Sequence, residues 1–310
     1  MQSTVLSNDW KSMTRSVDDP RAAMLKIDPQ QFAANFNEQH FMVEHRLKDH
    51  PLFEIPRLLG LAKEVATKWP TDLYFDCGVT NIGQRWEATP NSFPVDETIR
   101  KIESSGAWIN LNSAERNPEY AKVLDQCVSD LLCISGRQLK KKIRRTQLAI
   151  FITSPKRITT YHIDSECNFL LQIRGNKEIS LFSKHDREVL PEHEIERSWA
   201  VDTNAAVYKP GLQNHADVVT LTPGVGVHIP VNAPHWVLNG SEVSVSAAIL
   251  YHSWNRSYAN LYAANYFLRR AFHIDPSPPF RSRVLDAVKQ PLGAAYIWAR
   301  KTKYGPVRRY

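Results

Sequence analysis

From Thr159 to Phe182 the chain reads TTYHIDSECNFLLQIRGNKEISLF. His162 and Asp164 are two residues apart, so in an extended strand both side chains point to one face. The apolar run FLLQIRG that follows, Phe169–Gly175, heads into a core. A carboxylate turned toward such a core needs a partner, either a hydrogen-bonding group or a metal ion. Beyond Gly175 and Asn176 the segment KEISLF alternates, and Lys177 shares a face with Ile179 and Leu181. A lysine on an apolar face is costly unless an anion meets it. Its plainer reading is a strand-end lysine that snorkels to solvent.

Further along, LTPGVGVHIPVNAPHWV, Leu221–Val237, reads as a turn, a strand over Val225–Pro230 and a second turn with His235 on its far lip. One imidazole and one carboxylate are two thirds of a two-His-one-carboxylate site, which leaves open positions on Fe(II) for a bidentate co-substrate and oxygen. His235 is the candidate third ligand. Asn168, just beyond the H-x-D pair, offers an amide to a ligand carboxylate in the same cavity. An isolated H-x-D is weak, since a strand-end turn with a local hydrogen bond uses the same residues.

Around this stretch, residues 145–255 break into short β-rich runs (QLAIFIT, FLLQIRG, KEISLF, DVVTLTPG, VGVHIP, HWVLNG, VSVSAAIL) punctuated by Gly and Pro. Such spacing predicts an antiparallel barrel or double-sheet jelly roll. Residues 29–144 read as an α/β region. It has a helix over Ile55–Lys68, a strand over Leu73–Gly78, a helix near Val95–Ser104 and a strand over Ala107–Asn112. A further amphipathic helix over Asn117–Ser135 is closed by Gly136. Residues 1–28 read as a flexible arm. Residues 256–310 read as two helices, Tyr258–Phe272 and Val284–Lys301, whose aromatics could pack on the barrel or form a homodimer contact.

The chain has 310 residues, 43% of them hydrophobic, and can bury a large core. No apolar run reaches the roughly 18 residues of a membrane span, and the start lacks a secretory h-region. A cytoplasmic protein with no membrane partner is expected. Cys77, Cys127, Cys133 and Cys167 have neither CxxC spacing nor the density of a disulfide scaffold. The net charge of +7 is concentrated in two runs, Lys140, Lys141, Lys142, Arg144 and Arg145, and Arg300, Lys301, Lys303, Arg308 and Arg309. Removing those ten leaves −3, so the basicity is local and reads as solvated faces or tails. No nucleic-acid signature accompanies it, and no nucleic-acid partner is expected.

The ordered combination of TTYHIDSECNFLLQIRGNKEISLF and LTPGVGVHIPVNAPHWV resembles the JmjC-type, cupin-fold Fe(II)/2-oxoglutarate dioxygenases, in particular their asparaginyl-hydroxylase-like branch. The resemblance covers roughly residues 145–255. It implies a mainly β fold with α/β additions: a double-stranded β-helix, or jelly roll, preceded by the α/β region and followed by C-terminal helices. It places His162, Asp164 and His235 at the metal-ligand positions, and Lys177 where the branch binds the distal carboxylate of 2-oxoglutarate. Asn168 and Thr159 match positions that help hold the co-substrate. Three departures stand out: Val225 replaces the usual acidic residue of the PGD turn, Ala233-Pro234 replaces an aromatic pair, and SVSAAILYHSW lacks an asparagine that the branch directs at the co-substrate. Thr159 also has the wrong strand parity relative to His162 unless the chain bends there.

The implied activity is hydroxylation of a protein or peptide side chain, or of a small metabolite, with Fe(II) as cofactor and 2-oxoglutarate as co-substrate. Demethylation enters only for a substrate that carries an N-methyl group. The competing reading is a cupin-like barrel that senses a ligand or binds a partner without turnover, which fold alone does not separate from an enzyme. Among the other histidines, His215 belongs to a second H-x-D with Asp217 that lacks the downstream continuation. His228 reads as a core or rim residue, and His45 and His50 as surface groups at a helix end. Trp108 and Asn110 read as a core strand that could also line the cavity.

Overall fold

The computed structural model describes residues 23–86, 94–142, 145–252 and 256–305, without the side chains of 136–142 and 256. Two antiparallel sheets form its centre. The larger holds eight strands: β1 (Leu25–Lys26), β2 (Phe41–His45), β3 (Leu73–Asp76), β4 (Trp108–Leu111), β5 (Arg145–Thr153), β7 (Cys167–Arg174), β10 (Val225–Ile229) and β12 (Ser244–His252). Their spatial order is β1-β2-β10-β7-β12-β5-β4-β3. The smaller sheet, in the order β6-β11-β8-β9, holds β6 (Ile158–His162), β8 (Lys177–Leu181), β9 (Asp217–Leu221) and β11 (His235–Asn239). The architecture is thus a double-sheet jelly roll rather than a closed barrel.

Side-chain parity explains why the central strands are apolar on both faces. Ala149, Leu170, Val227, Ile229 and Ala248 of the large sheet meet Ile179, Leu181, Leu221 and Val237 of the small one. The alternate residues Ile150, Phe169, Leu171, Ala247 and Ile249 join an outer core. That outer core includes residues of α1 (Pro29–Asn35), α2 (Ile55–Lys68), α3 (Val95–Arg100) and α4 (Pro118–Lys142). Strands covered on both faces lose the hydrophobic-polar alternation of a half-exposed sheet. In α2, Leu58, Leu61, Ala62 and Val65 recur at helical spacing and are buried, with Pro56 in the first turn where its missing N–H costs nothing.

Some expectations change. The helix expected to stop at Gly136 continues to Lys142, because a glycine lowers helix propensity without forbidding the conformation. His45 is not a surface helix-end group but lies buried on β2, where its Nδ1 accepts the Leu47 N–H at 3.2 Å. His50 caps a short turn of helix, accepting the Leu52 N–H. Of the expected arm, residues 1–22 lie outside the described residues, while Leu25 is buried in β1 with Asp130 accepting its N–H. The basic runs fall largely outside as well, since the side chains of 140–142, and Arg144, Arg308 and Arg309 entirely, are not among the described residues. No helix of the described residues is long and apolar enough to cross a membrane.

The expected core histidine is His228, fully buried on the outer face of β10 between Phe36, Phe41 and Phe169. Its Nε2 accepts the Asn37 N–H at 2.9 Å and its Nδ1 donates to the Asn168 carbonyl at 3.1 Å. A neutral imidazole satisfies both bonds, and burial pushes its pKa down to about 3. The unfolded chain binds that proton near pH 6.5, so stability is present above 6.5 and lost as pH falls toward 3. His228→Gln, which can still donate and accept, is expected to flatten the acid dependence by about 1.4 kcal/mol per pH unit between roughly pH 6 and 4. Urea titrations across that range check it; an unchanged slope would show that His228 is not held neutral.

Candidate metal centre

His162 ends β6, and Asp164 follows in the turn that leads to β7. His235 opens β11 and pairs directly with His162 across the small sheet. A bulge follows this pair. His235 opposes His162, but Val237 opposes Thr159, so β6 carries one extra residue over that interval. An extra residue reverses parity, which turns Thr159 to the cavity side together with His162. Both line the same cavity.

The three candidate ligands offer atoms that lie within 4.8 Å of one another. Asp164 Oδ1 is 3.7 Å from His162 Nε2, and its Oδ2 is 3.8 Å from His235 Nε2. Those separations are too long for hydrogen bonds and suit three groups facing a common point. Each imidazole is oriented by its own backbone: His162 Nδ1 donates to the Thr160 carbonyl at 2.7 Å, and His235 Nδ1 to that of Ala233 at 3.0 Å. With Nδ1 protonated, each Nε2 lone pair is free for a metal. Burial, and the neighbouring His162, hold the His235 pKa below its ordinary value, so this ring is a neutral donor.

A cavity of about 170 Å³ extends from this cluster between the sheets. Its lining passes from half-buried Asp164, Ser165, Trp86 and Thr203 to buried Lys177. Lys177 is 5% exposed and forms no ion pair with a carboxylate among the described residues. Burial pushes its pKa down to about 7. The side-chain amides of Asn168 and Asn110 look into the same space, and the Oδ1 of each is buried without a hydrogen-bond partner among the described residues. A buried amide left unsatisfied is unusual and marks a place where a polar ligand fits. Trp108 and Asn110 therefore serve both readings, since alternate residues of β4, Ile109 and Leu111, supply the core.

Other cavity walls have no sequence signature. Trp86, Trp108 and Phe151 form an aromatic wall, with successive ring centroids 6.1 and 5.6 Å apart. Trp86 is held by Asn204, which accepts its backbone N–H at 3.2 Å and donates to its carbonyl at 2.9 Å. Trp199, from α5 (Glu192–Ala200), stacks on Tyr262 of α6 (Arg256–Phe272) with centroids 5.6 Å apart. Its indole N–H donates to Asn232 Oδ1 at 2.9 Å, while the Asn232 backbone N–H donates to the Asp164 carbonyl at 2.8 Å. Asn232 thus joins the turn before His235 to the turn bearing Asp164. Its φ of 63° is a conformation that asparagine tolerates.

The second H-x-D does not join the site. His215 Nδ1 lies 2.7 Å from Asp186 Oδ2, and Asp217 is an exposed partner of His40 at 3.6 Å. Among the described residues, His162, Asp164 and His235 form the one cluster of three or more such side chains able to share an ion.

No protein-family model and no curated protein sequence matches the chain. Among solved structures, Escherichia coli YcfD is similar at 15% identity and a TM-score of 0.52, over 87% of this chain and 67% of that one. The ribosomal oxygenase YcfD from Escherichia coli in complex with cobalt and 2-oxoglutarate is similar at 15% identity and a TM-score of 0.50, over 91% and 69%. At that identity the likeness establishes a shared fold.

Proposed function

We propose that this protein is an Fe(II)- and 2-oxoglutarate-dependent oxygenase that hydroxylates a protein or peptide side chain. The observation that carries the reading is a single cavity with a two-His-one-carboxylate cluster at its half-buried end and a buried lysine that forms no ion pair among the described residues. His162, Asp164 and His235 would hold Fe(II) from one side and leave its remaining positions to ligands. Lys177 would meet the distal carboxylate of 2-oxoglutarate, and Asn168 and Thr159, which line the same cavity, would help orient it. When bound, iron and co-substrate supply an oxygen-dependent hydroxylation coupled to decarboxylation of 2-oxoglutarate to succinate. Phe151, Leu170 and Val237, which line the cavity, would exclude water around the reacting atoms.

The similar structure described as a ribosomal oxygenase supports a protein substrate and, with it, a cytoplasmic setting. In this reading residues 145–255 are the catalytic core, and 29–144 and 256–310 shape access to it. The homodimer expected through the C-terminal helices would use α7 (Arg283–Tyr304), where Val284, Val288 and Trp298 are exposed. Anaerobic addition of Fe(II) and 2-oxoglutarate is expected to raise the metal-to-ligand charge-transfer absorption, and oxygen to release succinate. No band with the wild-type protein overturns the reading. A band without oxygen-dependent succinate, on adding cell extract as a substrate source, favours the ligand-sensing alternative.

A further inference from the structure

Lys177 is held by a chain of uncharged groups whose polarity can be assigned. Its Nζ donates to Ser246 Oγ at 2.5 Å, and Ser246 lies 2.8 Å from Gln172 Oε1. The Gln172 amide cannot be reversed, because its Nε2 serves two carbonyls, of Arg174 at 2.7 Å and Gly175 at 2.9 Å. Only an NH₂ group can donate to both. Oε1 must therefore face Ser246, so the Ser246 hydroxyl donates to it and keeps a lone pair for Lys177. Ser244 Oγ, 3.1 Å from Gln172 Nε2, completes the group.

Among the described residues no ion pair holds the lysine: Asp164 and Glu166 line the same cavity, but Asp164 lies against His162 and His235, and Glu166 lies 3.6 Å from His252. On its own strand Glu178 is exposed, and on β7 Arg174 is exposed. Asp217 of β9 and His235 of β11 both pair with Leu181, at the opposite end of β8. On β12 the titratable groups, Tyr251 and His252, lie at the far end of the strand, paired with Thr146 and Arg145 of β5. On β6, Tyr161 packs with Phe182 outside the cavity and His162 belongs to the metal cluster. Arg157 is committed to Asp76.

Resting on the dicarboxylate reading above, we propose that the co-substrate enters together with a proton: the Lys177 amine, positioned by Gln172 and Ser246, becomes the ammonium partner of the incoming distal carboxylate. The proton comes from buffer and forms an N–H bond at Nζ; nothing is oxidised or reduced. Burial alone pushes the free lysine down to about 7, whereas a carboxylate beside it favours the charged form. The liganded protein then binds more protons than the free one above pH 7. Affinity for 2-oxoglutarate accordingly falls as pH rises past 7, approaching tenfold per unit. Gln172 and Ser246 are positioning residues, acting through Lys177.

Anaerobic calorimetric titration of the Fe(II)-loaded protein, repeated in buffers of different ionisation enthalpy, counts the protons. About one pH unit above 7, close to one proton per 2-oxoglutarate is expected to be taken up. 2-Oxobutyrate, with the same keto-acid head and no distal carboxylate, is expected to bring none, as is 2-oxoglutarate with Lys177→Met. Ser246→Ala is expected to weaken 2-oxoglutarate roughly five- to tenfold and leave 2-oxobutyrate unchanged. Absence of linked uptake in the wild type, equal uptake in Lys177→Met, or equal weakening of both acids in Ser246→Ala overturns the proposal. The wild-type count needs no variant, so misfolding of either substitution does not shelter it. A charge-transfer band without a linked proton refutes this inference alone, while failure of both refutes it together with the oxygenase reading.

Discussion

Asp164→Asn is expected to lower Fe(II) affinity by at least about a hundredfold and to abolish oxygen-dependent succinate formation. Loss of a group that merely orients a ligand costs 10–100-fold in metal affinity, so loss of a ligand charge should exceed that range. The substitution keeps the shape of the side chain and removes the carboxylate that faces both imidazoles. Asp164 is only half-buried, and its carboxylate contacts within the site are the two histidines. The fold should therefore survive. Anaerobic iron titration read by charge-transfer absorption, beside a thermal melt, separates the two effects. An unchanged band in the folded variant would remove Asp164 from the metal site.

The largest effect on stability is expected away from the metal. Asp76, at the end of β3, and Arg157, just before β6, form an ion pair at 2.5 Å with side chains 9% and 3% exposed. Burial acts on both more strongly than their mutual attraction, raising the Asp76 pKa and lowering that of Arg157. Such a pair is a weak source of net stability, but breaking it strands a buried charge. Asp76→Ala is expected to cost about 3–5 kcal/mol, a melting shift on the order of 10 °C. Removing both charges in Asp76→Leu/Arg157→Met should recover part of this, although the Gly78 carbonyl then loses the Arg157 donor. Denaturant unfolding of the single and double variants decides; a single variant within about 0.5 kcal/mol of wild type would mean that the pair is hydrated in solution. The same region is tied to β6, where Thr80 donates to the Ile158 carbonyl and the Ile82 carbonyl accepts the Tyr161 N–H.

Much of the site was legible because its parts are local. His162, Asp164 and Asn168 lie within seven residues, and strand parity alone relates Lys177 to Ile179 and Leu181. Thr159 was legible only as a conflict. Its parity was wrong by simple counting, and the bulge between His235 and Val237 resolves it. Trp86, Trp199 and Asn232 were not legible, because each acts through partners far away in the chain: Asn204, Tyr262 and the Asp164 turn. His45 was misplaced for a related reason. Its surroundings EHRLKDHP are polar, yet it lies buried at the end of β2, paired with Leu25 of β1.

The sequence by itself determined the strand-rich centre, its flanking helices and the identity of the candidate ligands, since hydrophobic period and residue chemistry act over a few neighbouring positions. Tertiary structure decided that the two sheets stack as a jelly roll, that His162 stands opposite His235 and that Lys177 lies buried, held by neutral groups. Those outcomes depend on which strands pair and which faces are covered, and burial by distant segments sets the charge state of a lysine or histidine far more than its neighbours in sequence do.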